Sequence, residues 1–220
     1  MSAGTALLDL LFPPKCPFCH RVLERPRDPL CPVCQEILPW LEGKAGERAI
    51  EFADGCYSPL AYRDGVVDAI HRYKFERTRA YCVPLGTLMA QCLRDRLPDG
   101  ADRITWAPLS KKRLRQRGFD QAGLLARVAG EGLSIPVVPA LEKARHTQPQ
   151  SGLEEDAARR ANALGAYRLL PGGDMAGKRV VLVDDIVTSG STLAECARLL
   201  REGGAAAVFC LTLAQARGDR

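Results

Sequence analysis

Hydrophobic positions along this chain follow two different periods. Val180, Val181, Leu182 and Val183 form an unbroken aliphatic run, the pattern of a strand buried on both faces of a parallel sheet. Ile104 to Leu109 (ITWAPL), Ile135 to Leu141 and Ala207 to Leu213 are further strand candidates, and Pro108 is expected to end the first of them. Elsewhere the apolar spacing is helical. It links Val66, Val67, Ile70 and Tyr73; Leu85, Leu88, Met89 and Cys92; Ala122, Leu125, Ala126 and Ala129, in a helix opened by Gly118 and Phe119; and Leu193, Cys196, Ala197 and Leu200, a pattern ended by Gly203 and Gly204. A short strand pair is expected in DGCYSPLAYRDG, ahead of the first helix.

The run at Val180 to Val183 stops at two adjacent carboxylates, Asp184 and Asp185. The carboxyl end of a strand is where an open α/β sheet binds its ligands. Five small residues follow shortly after, Thr188, Ser189, Gly190, Ser191 and Thr192, directly before a helix. Gly190 can take φ > 0, and the backbone N–H groups and hydroxyls can converge on a phosphate. The helix N-terminus adds roughly half a positive charge. Acceptors for a vicinal diol beside donors for a phosphate match the chemistry of a ribose 5-phosphate. The patterns GxxxxGK[ST] and GxGxxG are absent, which argues against an NTPase or a dinucleotide site.

A second constellation lies near the start. Cys16 and Cys19 form one CxxC pair and Cys31 and Cys34 another, with eleven residues between the pairs. Two such turns present four thiolates tetrahedrally, the donor set of a compact zinc ribbon. Four protein ligands leave no open position for water, so zinc here is expected to be structural. A redox CxxC is the competing reading, but it needs no second pair. His20 is expected at the surface. The polar, Gly-containing stretch Leu41 to Glu51 reads as a linker.

Charge is concentrated after the ITWAPL strand. Lys111, Lys112, Arg113, Arg115 and Arg117 place five cations within seven residues, in a segment read as a loop, SKKRLRQRGFDQ. Cations there, Arg113 and Arg117 above all, would stabilise the negative charge that develops on a departing pyrophosphate. A nucleic-acid patch is an equally apt reading. His71, Arg72 and Lys74 beside Tyr73 and Phe75 suit either phosphate and base contacts or a solvated helix end. The polar segment EKARHTQPQSGLEEDAARRANALGAYRLL reads as an excursion that returns through Ala166 to Leu170. It suits a lid that excludes water from a reactive ribosyl centre. Arg145, Thr147, Gln150, Arg159 and Asn162 are its candidates to meet a ligand or partner.

Composition sets outer bounds. With 220 residues there is room for one α/β domain and a small module. A net charge of +5 favours polyanionic ligands without choosing one. Nine cysteines, four of them in the two pairs, suit a reducing cytoplasm with one metal site. Ala6 to Phe12 does not read as a signal peptide, and no apolar run approaches a membrane span.

The stretch VVLVDDIVTSGST resembles the phosphoribosyl pyrophosphate (PRPP) signature of type I phosphoribosyltransferases. Together with the double CxxC ribbon, YRDG followed by YKF, RQRGFDQA, and the spaced set Thr147, Gln150, Leu153, Arg159 and Asn162, it is similar to the ComF/GntX family of phosphoribosyltransferase-like competence proteins. The resemblance implies a type I phosphoribosyltransferase-like α/β fold, a mostly parallel sheet of about five strands with helices on both faces, preceded by a small zinc ribbon. It divides the chain into a ribbon at 1–45 and a phosphoribosyltransferase-like domain at 54–220. It also implies that Asp184 and Asp185 hold the ribose hydroxyls, that Thr188 to Thr192 cradle the 5-phosphate, and that PRPP binds with Mg²⁺. The implied activity is transfer of ribosyl 5-phosphate to an acceptor that no stretch identifies, in the setting of DNA uptake and natural transformation. The alternative is a non-catalytic accessory factor that binds nucleotide or single-stranded DNA (ssDNA). A competence helicase or other DNA-uptake proteins are the implied partners. Two departures concern the pyrophosphate loop: Asp120 stands where the family usually has Asn, and TWAPL carries one Pro where many members have two.

Overall fold

The computed structural model describes residues 13–76, 78–144 and 163–216. In chain order the elements are helix α1 (Pro32–Ile37), strands β1 (Gly55–Tyr57) and β2 (Leu60–Ala61), helices α2 (Gly65–Phe75) and α3 (Cys82–Arg96), and strand β3 (Arg103–Trp106). Helices α4 (Lys111–Arg117) and α5 (Gln121–Leu133), strands β4 (Leu141–Lys143), β5 (Tyr167–Leu169) and β6 (Arg179–Val187), helix α6 (Ser191–Glu202) and strand β7 (Ala207–Gln215) complete the set.

The aliphatic run forms the centre of a parallel sheet. β6 pairs β3 on one side and β7 on the other, and β1 and β2 both pair the far edge of β7. Alternate residues of β6 serve two cores. Val181 and Val183 pack with α2, α3 and α5, while Val180 and Leu182 pack with α6, β4 and β5. Both faces are therefore dry, which is why the run shows no polar alternation. The architecture is a parallel sheet with helices on both faces, preceded by a small module that carries the four paired cysteines.

Several local expectations change. β1 and β2 do not pair with each other; they lie end to end along β7, with Cys56 opposite Cys210 and Leu60 opposite Ala214. Residues Ile135 to Leu141 do not form a full strand. Only Val137 bridges Ile104, because Pro136 and Pro139 have no N–H to donate, and the chain then turns into a separate antiparallel pair of β4 and β5. The basic loop is a helix instead. Every residue of KKRLRQR is a good helix former; Ser110 caps the start by accepting the Arg113 N–H at 3.4 Å, and Gly118 ends it at φ 81°. The next helix starts later than expected, with Asp120 as its cap rather than Gly118 or Phe119.

The stretch read as a linker is fastened to the sheet. The Leu41 N–H donates to the Pro59 carbonyl, the Arg48 N–H to Cys56, and the Ser58 N–H to Gly46, while Gln215 Nε2 reaches the Ala45 carbonyl at 2.6 Å. Ile50 is 7% exposed, within the α6 core. Phe18, Leu23, Leu30 and Leu38 of the ribbon likewise belong to the same apolar cluster as α2 and α3. Among the described residues, no helix is long and apolar enough to cross a membrane.

Candidate functional site

The ribbon is built by two different local structures. Around Cys16 and Cys19 the chain forms a tight hairpin, with Lys15 bridging Val22 and His20 at φ 62° donating its N–H to the Cys16 carbonyl. Cys31 is the N-cap residue of α1, Pro32 follows at its start, and Cys34 lies in its first turn. The four Sγ atoms lie within 4.8 Å of one another, Cys19 and Cys31 at 3.5 Å. Ligands at 2.3 Å on a tetrahedral zinc would be separated by about 3.8 Å, so this cluster fits the ion. Burial raises the Cys31 thiol, yet the Cys34 backbone N–H and the neighbouring thiols outweigh it and bring the group down to about 7. His20 is exposed, with Nδ1 at 3.1 Å from the Tyr81 hydroxyl, and is not among the clustered ligands.

The second site lies at the carboxyl edge of the sheet. β3 ends at Trp106, opposite Val183, because Pro108 cannot continue a ladder. β6 runs on beside β7, with Asp184 opposite Thr212 and Ile186 opposite Ala214. The strand therefore continues past the carboxylates, where the sequence suggested it would stop. Asp184 and Asp185 have a ladder on one side and a crevice on the other. That crevice is a cavity of about 370 Å³.

Within it, Asp184 Oδ1 accepts the Asp185 N–H at 2.8 Å, and Asp185 Oδ1 meets Lys74 Nζ at 2.9 Å. Burial, followed by the neighbouring Asp185 charge, pushes the Asp184 carboxyl up to about 7. Thr188 and Thr192 line the cavity, while Ser189 and Ser191 hold the turn through a hydroxyl pair at 2.8 Å. Gly190, at φ 82°, is the N-cap of α6, and no side chain caps that helix. The Ser191 N–H donates to Ser189 Oγ at 3.4 Å, and the N–H groups of Thr192 and Leu193 behind it belong to the helix start that attracts an anion.

Two of the five clustered cations enter the cavity, Arg113 and Arg117. Lys111, Lys112 and Arg115 are exposed. The split follows helical geometry, since residues 113 and 117 share a face at i, i+4. Burial lowers the Arg117 guanidinium, which donates to Gln121 Oε1 at 3.0 Å.

Sequence reading missed Lys143, Tyr167 and Tyr62, all lining the cavity. Lys143 Nζ donates to the Tyr167 hydroxyl at 3.0 Å, and burial, then Arg113, lowers its ammonium. A lone Lys at the end of the apolar run Ile135 to Leu141 was the available signal. Arg145, Thr147, Gln150, Arg159 and Asn162 lie outside the described residues.

The parallel sheet, the acidic pair at its edge and the small-residue loop define a phosphoribosyltransferase-like protein. Comparison agrees: residues 115–220 match the phosphoribosyl transferase domain and residues 7–49 the double zinc ribbon domain. The DNA utilization protein YhgH of Escherichia coli K12 is 33% identical over 219 residues, covering 89% of this chain and 88% of that one. Competence protein F of Haemophilus influenzae is 30% identical, covering 92% and 97%. Competence protein ComFC of Streptococcus pneumoniae is 27% identical, covering 90% and 86%. The chain belongs to the ComF/GntX family of phosphoribosyltransferase-like competence proteins, and its four clustered cysteines support a structural zinc.

Proposed function

We propose that this protein binds PRPP at the sheet edge and transfers its ribosyl 5-phosphate to an acceptor in the cytoplasm, as part of the handling of DNA taken up by the cell. One observation carries the reading: Asp184 and Asp185 share a single cavity with Thr188 and Thr192, at the uncapped start of α6, and with Arg113 and Arg117. The N–H groups at the start of α6 take the 5-phosphate. The carboxylates accept hydrogen bonds from the ribose diol. Arg113 and Arg117 receive the charge that develops as the bond from C1 to the pyrophosphate oxygen breaks, the acceptor joins C1, and the acceptor's proton is released.

Two adjacent carboxylates are hard oxygen donors suited to a dication, and Asp184 and Asp185 would hold Mg²⁺ in this cavity. Bound there, Mg²⁺ would offset the repulsion between the diphosphate and these carboxylates. Lys74 already performs part of that task for Asp185.

A second reading rests on the outer face of α4. Lys111, Lys112 and Arg115 are exposed there, and Phe75, 57% exposed, lies under Arg117 with the guanidinium 4.9 Å from the ring centre. Cations beside an open aromatic suit ssDNA, and a non-catalytic accessory factor would use them with partners such as a competence helicase. The names of the relatives, DNA utilization protein and competence protein, suit either reading.

The test is incubation with PRPP, Mg²⁺ and pooled nucleobases, measuring pyrophosphate beside ssDNA binding at two salt concentrations. Pyrophosphate release that disappears in Asp185→Asn supports the transferase. No pyrophosphate with any acceptor, together with salt-sensitive ssDNA binding lost on removing Lys111, Lys112 and Arg115, supports the accessory factor.

A further inference from the structure

The last turn of α2 makes four different contacts with four successive residues. Arg72 Nη2 donates to the Pro17 carbonyl at 3.0 Å and the Phe18 carbonyl at 3.1 Å, the two residues enclosed between Cys16 and Cys19. Tyr73 is fully buried and donates its hydroxyl to the Gln121 carbonyl at 2.9 Å, in the first turn of α5. Lys74 Nζ holds Asp185 Oδ1 at 2.9 Å. Phe75 lies beneath Arg117. Neighbours one and two apart on a helix point to different sides, so one rigid turn reaches the metal knuckle, the α5 start and the carboxylate pair at once.

We infer that Arg72 is a positioning residue for the phosphoribosyl site, acting through Lys74, and that the zinc knuckle is the fixed point it grips. This rests on the reading of that site as a PRPP site. Carbonyls 17 and 18 are aimed at Arg72 only while the Cys16 to Cys19 hairpin keeps its shape, and four-thiolate coordination is what fixes that shape. Arg72 is suited to the grip because its planar fork reaches two carbonyls from one nitrogen, which a lysine would meet as a mobile point charge. The consequence falls on Asp185. With α2 anchored, Lys74 arrives at hydrogen-bond distance and offsets the mutual repulsion of Asp184, Asp185 and an incoming diphosphate. With α2 unanchored, the same lysine spends its time in solvent, and the carboxylates meet the diphosphate uncompensated. The ribbon thereby contributes to ligand affinity without touching ligand.

The experiment is a double-mutant cycle on the full chain, with PRPP and Mg²⁺ titrated calorimetrically into wild type, Arg72→Gln, Lys74→Met and the double variant. Zinc content and thermal melting are measured on each. Arg72→Gln is expected to keep one zinc, to melt as a folded protein and to weaken PRPP about tenfold, within the usual range of coupling between sites. Added to Lys74→Met it should change nothing further. Additive losses, wild-type affinity in Arg72→Gln, or loss of zinc from that variant would each overturn the inference. Should Arg72→Gln fail to fold, Arg72→Lys replaces it in the same cycle: it must weaken PRPP in wild type and change nothing further in Lys74→Met, and equal weakening in both overturns the inference. Wild type that binds no PRPP overturns the reading of the site itself, and this inference with it.

Discussion

Asp120 Oδ2 accepts the Leu109 N–H at 3.1 Å, tying the turn that follows β3 to the start of the helix that carries it back. The same oxygen takes the Trp106 indole N–H at 3.3 Å, while Oδ1 caps α5 through the Gly123 N–H at 3.1 Å. Three donors need two acceptor oxygens, which an aspartate has and an asparagine does not. Asp120→Asn should therefore turn an amide N–H₂ towards two N–H donors. The expected loss is about 1–3 kcal/mol, measured by urea denaturation. An unchanged midpoint would show that the loop relaxes around the amide.

Burial raises the carboxyls of Asp184, to about 7, and Asp120. Both folded values lie above the unfolded ones; for Asp184 the native state keeps a proton that the unfolded chain has released between about pH 4 and 7, and Asp120 acts in the same direction. Stability contributed by this proton uptake is present at the acidic end of that window and declines as pH rises through it. Asp184→Asn should flatten the decline in a series of denaturation curves. PRPP affinity should move the opposite way in wild type, rising across pH 7 as Asp184 ionises, and be level in the variant.

At Gly190, a Cβ would lie 2.5 Å from Ile50 Cδ1 and point at that side chain. A side chain at this position therefore meets the Ile50 side chain of the α6 core. Gly190→Ala imposes a left-handed conformation worth about 1–2 kcal/mol, plus a steric part that Ile50 can relieve by rotating. Thermal melting of Gly190→Ala with and without Ile50→Ala should separate the two, with only the steric part recovered.

Removal of zinc should affect more than the ribbon. Cys16, Cys31 and Cys34 lie in the same apolar cluster as Tyr73, Leu85 and Val181, and structural zinc is worth roughly 10–16 kcal/mol of apparent folding free energy in small modules. Elemental analysis should give one zinc per chain, and chelation should lower the melting temperature of the whole protein. A metal-free chain that melts as the loaded one does would exclude a structural ion.

Arg113→Ala should reduce pyrophosphate release more than PRPP affinity, because charge on the leaving group is greatest in the transition state. Steady-state kinetics beside calorimetry would separate the two. Equal losses in both would make Arg113 a ground-state contact.

The sequence alone was enough for whatever depends on local chemistry and period. Val180 to Val183 had to be a doubly covered strand because no polar side chain interrupts it, and the run Asp184 to Thr192 stood out because two carboxylates and five small residues close together are an unusual pattern; four of those residues line one cavity. The paired CxxC turns declared their metal for the same reason. Tertiary structure alone decided which cations enter the cavity, since Lys111 to Arg117 is uniformly basic and only its helical winding turns residues 113 and 117 inward. Lys74 and Lys143 reach the site from α2 and β4, 111 and 42 residues before Asp185 in sequence, the second from a separate sheet. No local signal separates such a lysine from a solvated one. Likewise Leu41 to Glu51 is polar enough for a linker, and only the carbonyls of Cys56 and Pro59, the Ser58 N–H and the side-chain amide of Gln215 turn it into part of the sheet's border.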